Sequence, residues 1–261
     1  MKTREVYCKS ILSKSGLYGI DYAVNPYTGC EHGCIYCYAV FMKKFTERRE
    51  EWGEFVDIKL NAPRVLAKQI KKSKKGSILF SSVTDPYQPL EKKYEITKKC
   101  LHVLFRHDFP LSFLTKSDLI LRDRELIEKM NATVGVTFTT VDEKVRKIFE
   151  PRASPIENRL KILDEIENSY VFFGPIIPFF SDSEKKLREA FASFEEKDVK
   201  HVHIDKMNIY PNVWRRLRKH LDSKMVKRYK KIKNSEKHPR LLKKRVLKIL
   251  EDFNFEYHLE W

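Results

Sequence analysis

Residues 21–39 read DYAVNPYTGCEHGCIYCYA and place Cys30, Cys34 and Cys37 on a glycine-containing loop directly after a short β-rich run. Three thiolates this close on a turn can converge on one inorganic centre. The five cysteines are an odd number and give no sign of a disulfide framework. We therefore predict an iron–sulfur centre on these three cysteines, with one iron left open to a substrate or cofactor.

Structural zinc is the alternative for this loop, with His32 as the fourth ligand. His32 and Cys34 would then have to close on one ion from a separation of two residues, which is poor geometry for a tetrahedral site. Zinc sites typically draw a second ligand pair from a distant segment, and the sequence holds no second C-x2-C or H-x3-H. The spacing thus favours iron–sulfur over zinc.

Outward from the cysteines, short β-rich runs alternate with amphipathic stretches. The alternation predicts strands at residues 21–25, 77–82, 111–115, 133–139, 170–175 and 201–205. The intervening segments predict helices at residues 92–106, 118–130, 155–166 and 183–196. Six such units imply a parallel α/β sheet with right-handed crossovers, curved into an open or closed barrel. In such folds the loops after the strands carry the chemistry.

The positive charge is concentrated near the end of the chain. The net charge is +16, and residues 215–248 contain sixteen Lys and Arg against only Asp222 and Glu236. We predict a core at residues 1–220 and a basic, helical extension at residues 221–261, packed on the core and ending in an edge strand at 255–261. The basic segment predicts contact with nucleic acid. The alternative is a solvated surface in a protein rich in Lys and Glu.

No apolar run suits a membrane span and no secretory signal is evident, so we expect a cytoplasmic protein.

The cysteine spacing C-x3-C-x2-C, with Tyr36 before the last cysteine, resembles the signature of the radical S-adenosylmethionine (radical SAM) enzymes. The longer string at residues 25–39 and SSVTDPYQPLE at 81–91 resemble the branch related to spore photoproduct lyase. Further similar segments are LTKS at 114–117, VTFTT at 136–140 and EPRASPIENRL at 150–160. The resemblance implies a partial (βα)6 barrel and a 4Fe–4S cluster on Cys30, Cys34 and Cys37.

The resemblance also implies that S-adenosylmethionine (SAM) chelates the fourth iron and is cleaved reductively to a 5′-deoxyadenosyl radical, which abstracts a substrate hydrogen. A reductant protein such as ferredoxin or flavodoxin would supply the electron. Tyr36 would lie against the adenine. Ser82, Thr84 and Asp85 would hold the methionyl amino group, Lys116 would meet the carboxylate, and Thr137 would contact the ribose or carboxylate. Tyr36 and Tyr38, which flank Cys37, are candidate catalytic residues for hydrogen-atom relay.

One position departs from the lyase pattern. Val83 stands where the lyases carry a cysteine that returns a hydrogen atom to the product radical, and valine cannot do this. The basic segment and the resemblance to the lyases predict a nucleic-acid substrate, and Val83 indicates one other than spore photoproduct. One alternative is a radical SAM enzyme that modifies a peptide or small molecule. Another is a non-catalytic nucleic-acid-binding protein with a structural zinc or iron–sulfur site.

Overall fold

The computed structural model describes residues 1–261 and contains eleven strands in two sheets. The strands in chain order are β1 (Lys2–Val6), β2 (Leu12–Lys14), β3 (Tyr22–Val24), β4 (Tyr27–Gly29), β5 (Phe55–Lys59), β6 (Ile78–Phe80), β7 (Leu111–Thr115), β8 (Thr133–Phe138), β9 (Ser169–Ile176), β10 (His201–Lys206) and β11 (Glu256–Leu259). The main sheet has the order β11-β10-β9-β8-β7-β6-β3-β2, and the small sheet has the order β1-β5-β4.

The six predicted strands are the centre of the main sheet. Strands β3, β6, β7, β8, β9 and β10 lie side by side in chain order, and every neighbouring pair is parallel. The sheet does not close, because β2 pairs antiparallel with β3 at one edge and β11 pairs with β10 at the other. The prediction of an α/β partial barrel is confirmed.

Ten α-helices and two 3₁₀ helices connect the strands. The α-helices are α1 (Ala62–Ile70), α2 (Glu91–Tyr94), α3 (Ile96–Leu104), α4 (Arg124–Lys129), α5 (Glu143–Phe149), α6 (Ile156–Glu165), α7 (Glu184–Glu195), α8 (Pro211–His220), α9 (Ser223–Ile232) and α10 (Lys237–Leu250). The 3₁₀ helices are Tyr38–Phe45 and Asp118–Asp123. No helix is both long enough and apolar enough to cross a membrane.

Two predicted helices are interrupted. The segment predicted as one helix at 92–106 is divided between α2 and α3, because Glu95 adopts a left-handed conformation with φ 53°. The buried Glu91 side chain accepts hydrogen bonds from the Thr97 and Lys98 amides and so caps the start of α3. The segment predicted as a helix at 118–130 begins as a 3₁₀ helix and becomes α-helical only at Arg124.

The end of the chain contributes to the main sheet and its core. The predicted edge strand is present as β11, parallel to β10. Helix α10 buries Leu242, Val246, Ile249 and Leu250 in the large hydrophobic core, which also contains the buried residues of the main sheet. It begins at Lys237 and tolerates Pro239 in its first turn, because a proline there removes an amide that has no helical partner. The boundary at residue 220 stays a prediction.

A second apolar cluster joins the cysteine loop to the basic helices. It contains Cys34, Ile35 and Tyr36 from the loop, with Val213 and Leu217 of α8 and Tyr229 of α9 among its buried members. The basic segment is thereby held beside the loop by apolar packing.

Candidate active site

The cysteine loop starts at the end of the small sheet. Gly29, the last residue of β4, has φ +93°, a conformation that favours glycine, and it directs the chain into Cys30. Cys30 and Cys34 are buried and Cys37 is half-buried, and all three thiols are free. The Ile35 amide donates to the Phe149 carbonyl at 3.0 Å, which fixes the middle of the loop against the end of α5. The three predicted ligands are thus held on one buried turn.

Burial raises the pKa of all three thiols, that of Cys34 to about 12. Nearby charges raise the pKa of Cys30 further, with Asp85 contributing more than Cys34 and Cys37. Lys116 lowers the pKa of Cys34 and of Cys37, against the larger effect of burial. Because a thiolate is the form that binds metal, a metal centre here would have to displace the thiol protons.

The loop after β6 is bound along the cysteine loop by side-chain hydrogen bonds. Asn25 donates to the Ser82 hydroxyl at 3.3 Å and accepts from the Val83 amide at 3.2 Å. The Thr84 hydroxyl donates to the Gly29 carbonyl at 2.5 Å. Further along, Gln88 donates to the Thr84 hydroxyl at 3.1 Å and accepts from the Glu31 amide at 2.9 Å. Sequence reasoning singled out Ser82 and Thr84 but missed two residues: Gln88, which bonds the two loops to each other, and Asn25, which bonds the segment before the cysteine loop to Ser82 and Val83.

Asp85 lies at the junction of three segments. Its buried carboxylate accepts from the Thr115 hydroxyl at 2.8 Å, from the Lys116 amide at 2.8 Å and from the Tyr87 amide at 2.9 Å. The His32 imidazole lies 3.4 Å away, and burial lowers the pKa of His32 to about 4. Asp85 therefore orders the ends of β6 and β7 beside the cysteine loop, and a direct contact with SAM stays a prediction.

Tyr36 and Tyr38 point to different partners. The Tyr36 hydroxyl donates to the Glu150 carboxylate, which is fully buried and forms an ion pair with Arg159 at 2.6 Å. Burial alone would raise the pKa of Glu150, but Arg159 and Lys116 outweigh it, so its pKa lies below the ordinary value. Tyr38 is 54% exposed, and its hydroxyl donates to the Ser82 carbonyl. Both tyrosines adjoin Cys37, but the Tyr36 hydroxyl bonds to the end of α5 and the Tyr38 hydroxyl to the loop after β6.

Lys116 and Thr137 come from the next two strand ends. The Lys116 ammonium lies 5.9 Å from the centroid of the Tyr36 ring, within the range of a cation–π contact. Thr137 is buried on β8, and its carbonyl accepts from Arg159 at 3.0 Å. Lys116 therefore lies beside the cysteine loop, whereas Thr137 is linked to it through Arg159 and Glu150.

Arg216 is the largest feature that sequence reasoning missed. It is 6% exposed and donates to the carbonyls of Trp52 at 2.7 Å, Gly33 at 3.3 Å and Cys34 at 3.2 Å. Helical spacing is the sequence signal that could have found it, because Arg216 falls on the same face of α8 as the apolar Val213 and Leu217.

Three free cysteine thiols on one loop are a donor set of the kind that binds an iron–sulfur cluster. No group of three or more His, Cys, Asp and Glu side chains is arranged to hold one metal ion. The ligands of one zinc ion meet about 2.0–2.3 Å from a common point, whereas the cysteines of a four-iron cluster bind different irons and stand further apart. His32, the candidate fourth zinc ligand, faces Asp85. Ser81, at the end of β6, has a buried hydroxyl with no partner in the protein, so some hydrogen-bonding capacity is left unused.

A sequence model of the radical SAM superfamily matches residues 24–192, which include all the site residues described so far except Arg216. The chain belongs to the radical SAM superfamily. This membership identifies it as an enzyme, and it implies SAM and an iron–sulfur centre as cofactors. The earlier resemblance to radical SAM enzymes is confirmed.

Two sequence relatives extend the comparison. An uncharacterized protein of Methanocaldococcus jannaschii is 36% identical over 185 residues, which cover 69% of this chain and 70% of that protein. An uncharacterized protein of Acidianus two-tailed virus is 30% identical over 179 residues, covering 64% of this chain and 58% of the viral protein.

Solved structures show the same fold. Spore photoproduct lyase complexed with dinucleoside spore photoproduct has a TM-score of 0.70 at 15% identity, covering 99% of this chain and 82% of the lyase. Streptococcus suis SuiB bound to the precursor peptide SuiA has a TM-score of 0.58 at 15% identity, covering 92% of this chain and 48% of SuiB. The lyase-like fold of this radical SAM protein agrees with the predicted branch.

Proposed function

We propose that this protein binds a 4Fe–4S cluster through Cys30, Cys34 and Cys37 and cleaves SAM reductively to methionine and a 5′-deoxyadenosyl radical, which abstracts hydrogen from a nucleic acid. The observation that carries the proposal is the set of three free thiols on one loop, which is bonded to the loop at residues 81–88 through Gly29, Glu31 and Tyr38. When bound, the cluster supplies one electron to the sulfonium of SAM, and that electron comes from a reductant protein such as ferredoxin or flavodoxin.

The residues of this chain would bind and orient SAM. Lys116 provides a positive charge for the carboxylate beside the Tyr36 ring, which offers a flat surface for the adenine. Ser82 and Thr84 have hydroxyl oxygens suited to the methionyl ammonium. Thr137 approaches from β8. Tyr36 and Tyr38 remain the candidate catalytic residues for hydrogen-atom relay.

The nucleic-acid substrate is supported by the surface of α9. Its five Lys and Arg side chains are all exposed, and none forms an ion pair with an acidic residue. They are Lys224, Lys227, Arg228, Lys230 and Lys231. The apolar side of α9 packs through Tyr229 into the cluster that contains Cys34 and Tyr36. Unpaired cations beside the site suit a polyanion that delivers one of its bases or sugars to the radical.

The first test is anaerobic reconstitution with iron and sulfide, reduction with dithionite, addition of SAM, and assay of 5′-deoxyadenosine. We expect the wild-type protein to produce it and Cys30→Ala to produce none. Cys8→Ser is the matched control, because it removes a half-buried thiol outside the loop and should keep the activity. Stoichiometric zinc in protein purified without air would refute the proposal. So would a complete four-iron cluster that neither binds nor cleaves SAM.

The second test separates nucleic acid from a peptide or small molecule. Binding of single- and double-stranded DNA and RNA is titrated at several salt concentrations. Binding that weakens steeply as salt rises supports the proposal. Absence of binding to all four, even at low salt, would exclude a nucleic-acid substrate and favour a peptide or small molecule.

A further inference from the structure

Arg216 is a buried cation without a carboxylate partner. Its guanidinium bonds only to the backbone carbonyls of Trp52, Gly33 and Cys34, and its Nε has no partner. The nearby acidic residues are already engaged, since Glu51 pairs with Lys219 at 2.8 Å and Glu54 pairs with Arg152 at 3.1 Å. A buried charge of this kind is strongly unfavourable unless an anionic group compensates it.

Arg216 lies beside Cys34 and Cys37. One of its Nη atoms donates to the Cys34 carbonyl, and Cys37 packs against the apolar cluster that contains Trp52, whose carbonyl Arg216 also bonds. As thiols the two cysteines carry no charge, whereas as ligands of a metal centre they are thiolates. The missing counter-charge of Arg216 is thus supplied when the thiolates are bound.

We infer that Arg216 is a positioning residue of the iron–sulfur site: it fixes the cysteine loop through the Gly33 and Cys34 carbonyls, and its charge raises the reduction potential of the bound cluster. The inference rests on the proposed 4Fe–4S cluster. A nearby positive charge stabilises the reduced cluster, which is the more negative form. Arg216 therefore differs from the other cations of the basic segment, because it faces the site and not the solvent.

Three variants test this inference. Arg216→Gln removes the charge, and Arg216→Lys keeps the charge but loses the planar group that reaches three carbonyls. Arg215→Gln is the matched control, because Arg215 is the preceding residue of α8 and is exposed. Each reconstituted protein is assayed for iron and sulfide per chain and for the midpoint potential, followed by electron paramagnetic resonance during reductive titration. Thermal unfolding of the cluster-free proteins reports on the fold.

We expect Arg216→Gln to hold less iron and to have a more negative midpoint potential than the wild type. Arg216→Lys should also hold less iron, but with a potential close to that of the wild type. Arg215→Gln should match the wild type in both measurements. Wild-type iron content and potential in Arg216→Gln would overturn the inference.

If Arg216→Gln fails to fold or to take up iron, the midpoint potential of Arg216→Lys becomes the test of the inference. A near-wild-type potential in that variant supports the inference, and a strongly negative one overturns the role of the charge. Failure of the wild type itself to take up a cluster would instead refute the proposed function, so the two failures are distinguishable.

Discussion

The hydroxyl of Tyr36 donates to the carboxylate of Glu150, 114 residues further along the chain, and this bond is buried. Glu150 is in turn paired with the fully buried Arg159. The aromatic residue before the last cysteine is thus held by Glu150 at the end of α5, and Arg159 extends this connection to the Thr137 carbonyl on β8. A change at Glu150 should therefore affect both the stability of the fold and the cysteine loop.

Glu150→Ala should destabilise the protein strongly. It leaves Arg159 buried without a counter-charge, and removal of one partner of a buried ion pair costs about 3–5 kcal/mol. Urea unfolding of the cluster-free protein measures the loss. Glu157→Ala is the control, because its pair with Lys161 is exposed and should contribute at most about 1 kcal/mol. Equal losses in the two variants would contradict the prediction.

Asp85→Asn should weaken the junction between the cysteine loop and β7. The amide group cannot accept from all of the Thr115 hydroxyl and the Lys116 and Tyr87 amides, so one buried donor loses its acceptor. The free energy of unfolding, measured with urea, should fall by about 1–3 kcal/mol. The variant should also bind less iron after reconstitution. Asp108→Asn, on an exposed side chain, should change neither quantity. A variant with wild-type stability and iron content would show that the junction does not depend on the carboxylate.

Asp205, on β10, should make stability depend on pH. Burial raises its pKa to about 6, whereas an unfolded aspartate titrates near roughly 3.9. Between these pH values the folded state binds more protons than the unfolded state. The contribution of Asp205 to stability therefore falls as pH rises from about 4 to about 6, and it stays low above that.

Asp205→Asn should remove this loss. At pH 8 the variant should be more stable than the wild type by on the order of 1 kcal/mol, a figure reduced for partial exposure. The difference should nearly vanish at about pH 4. Urea unfolding at both pH values measures it, with Asp108→Asn as the exposed control. A gain that is equal at the two pH values would show that titration of Asp205 is not its source.

The basic surface of α9 should determine how nucleic-acid binding responds to salt. The slope of log K against log salt is negative, and each lost phosphate contact reduces its magnitude by about 0.9 for duplex DNA. Replacing Lys227, Lys230 and Lys231 by Gln should therefore weaken binding at low salt and flatten the slope by up to about 3.

The matched control for that variant replaces Lys71, Lys72 and Lys74, which are exposed near the end of α1, and removes the same charge. It should bind like the wild type. If both triple variants lose the same affinity, net charge alone accounts for binding and α9 has no special role.

The sequence by itself predicted the central sheet and the loop that carries the three cysteines. The six predicted strands carry mainly β-branched, aromatic and other apolar residues and are bounded by polar residues, Gly or Pro, so each has a local signal. Strand β1 has no such local signal, because KTREV is charged and mostly exposed. It is a strand only because it pairs with β5. Helix α3 likewise starts where it does because Glu91, held by Tyr27 and Arg122, caps it.

Only the tertiary structure decided what each polar side chain of the site contacts. Spacing brought Cys30, Cys34 and Cys37 together, because they lie on one loop. Glu150 and Arg216 are distant in the chain, and their partners are set by how the helices after β8 and β10 pack on that loop. A run of Lys and Arg fixes the charge of a segment, but helical phase and packing select Arg216 alone for burial beside the cysteines. Local preference is encoded over a few residues, whereas burial and charge pairing depend on contacts between segments far apart in the chain.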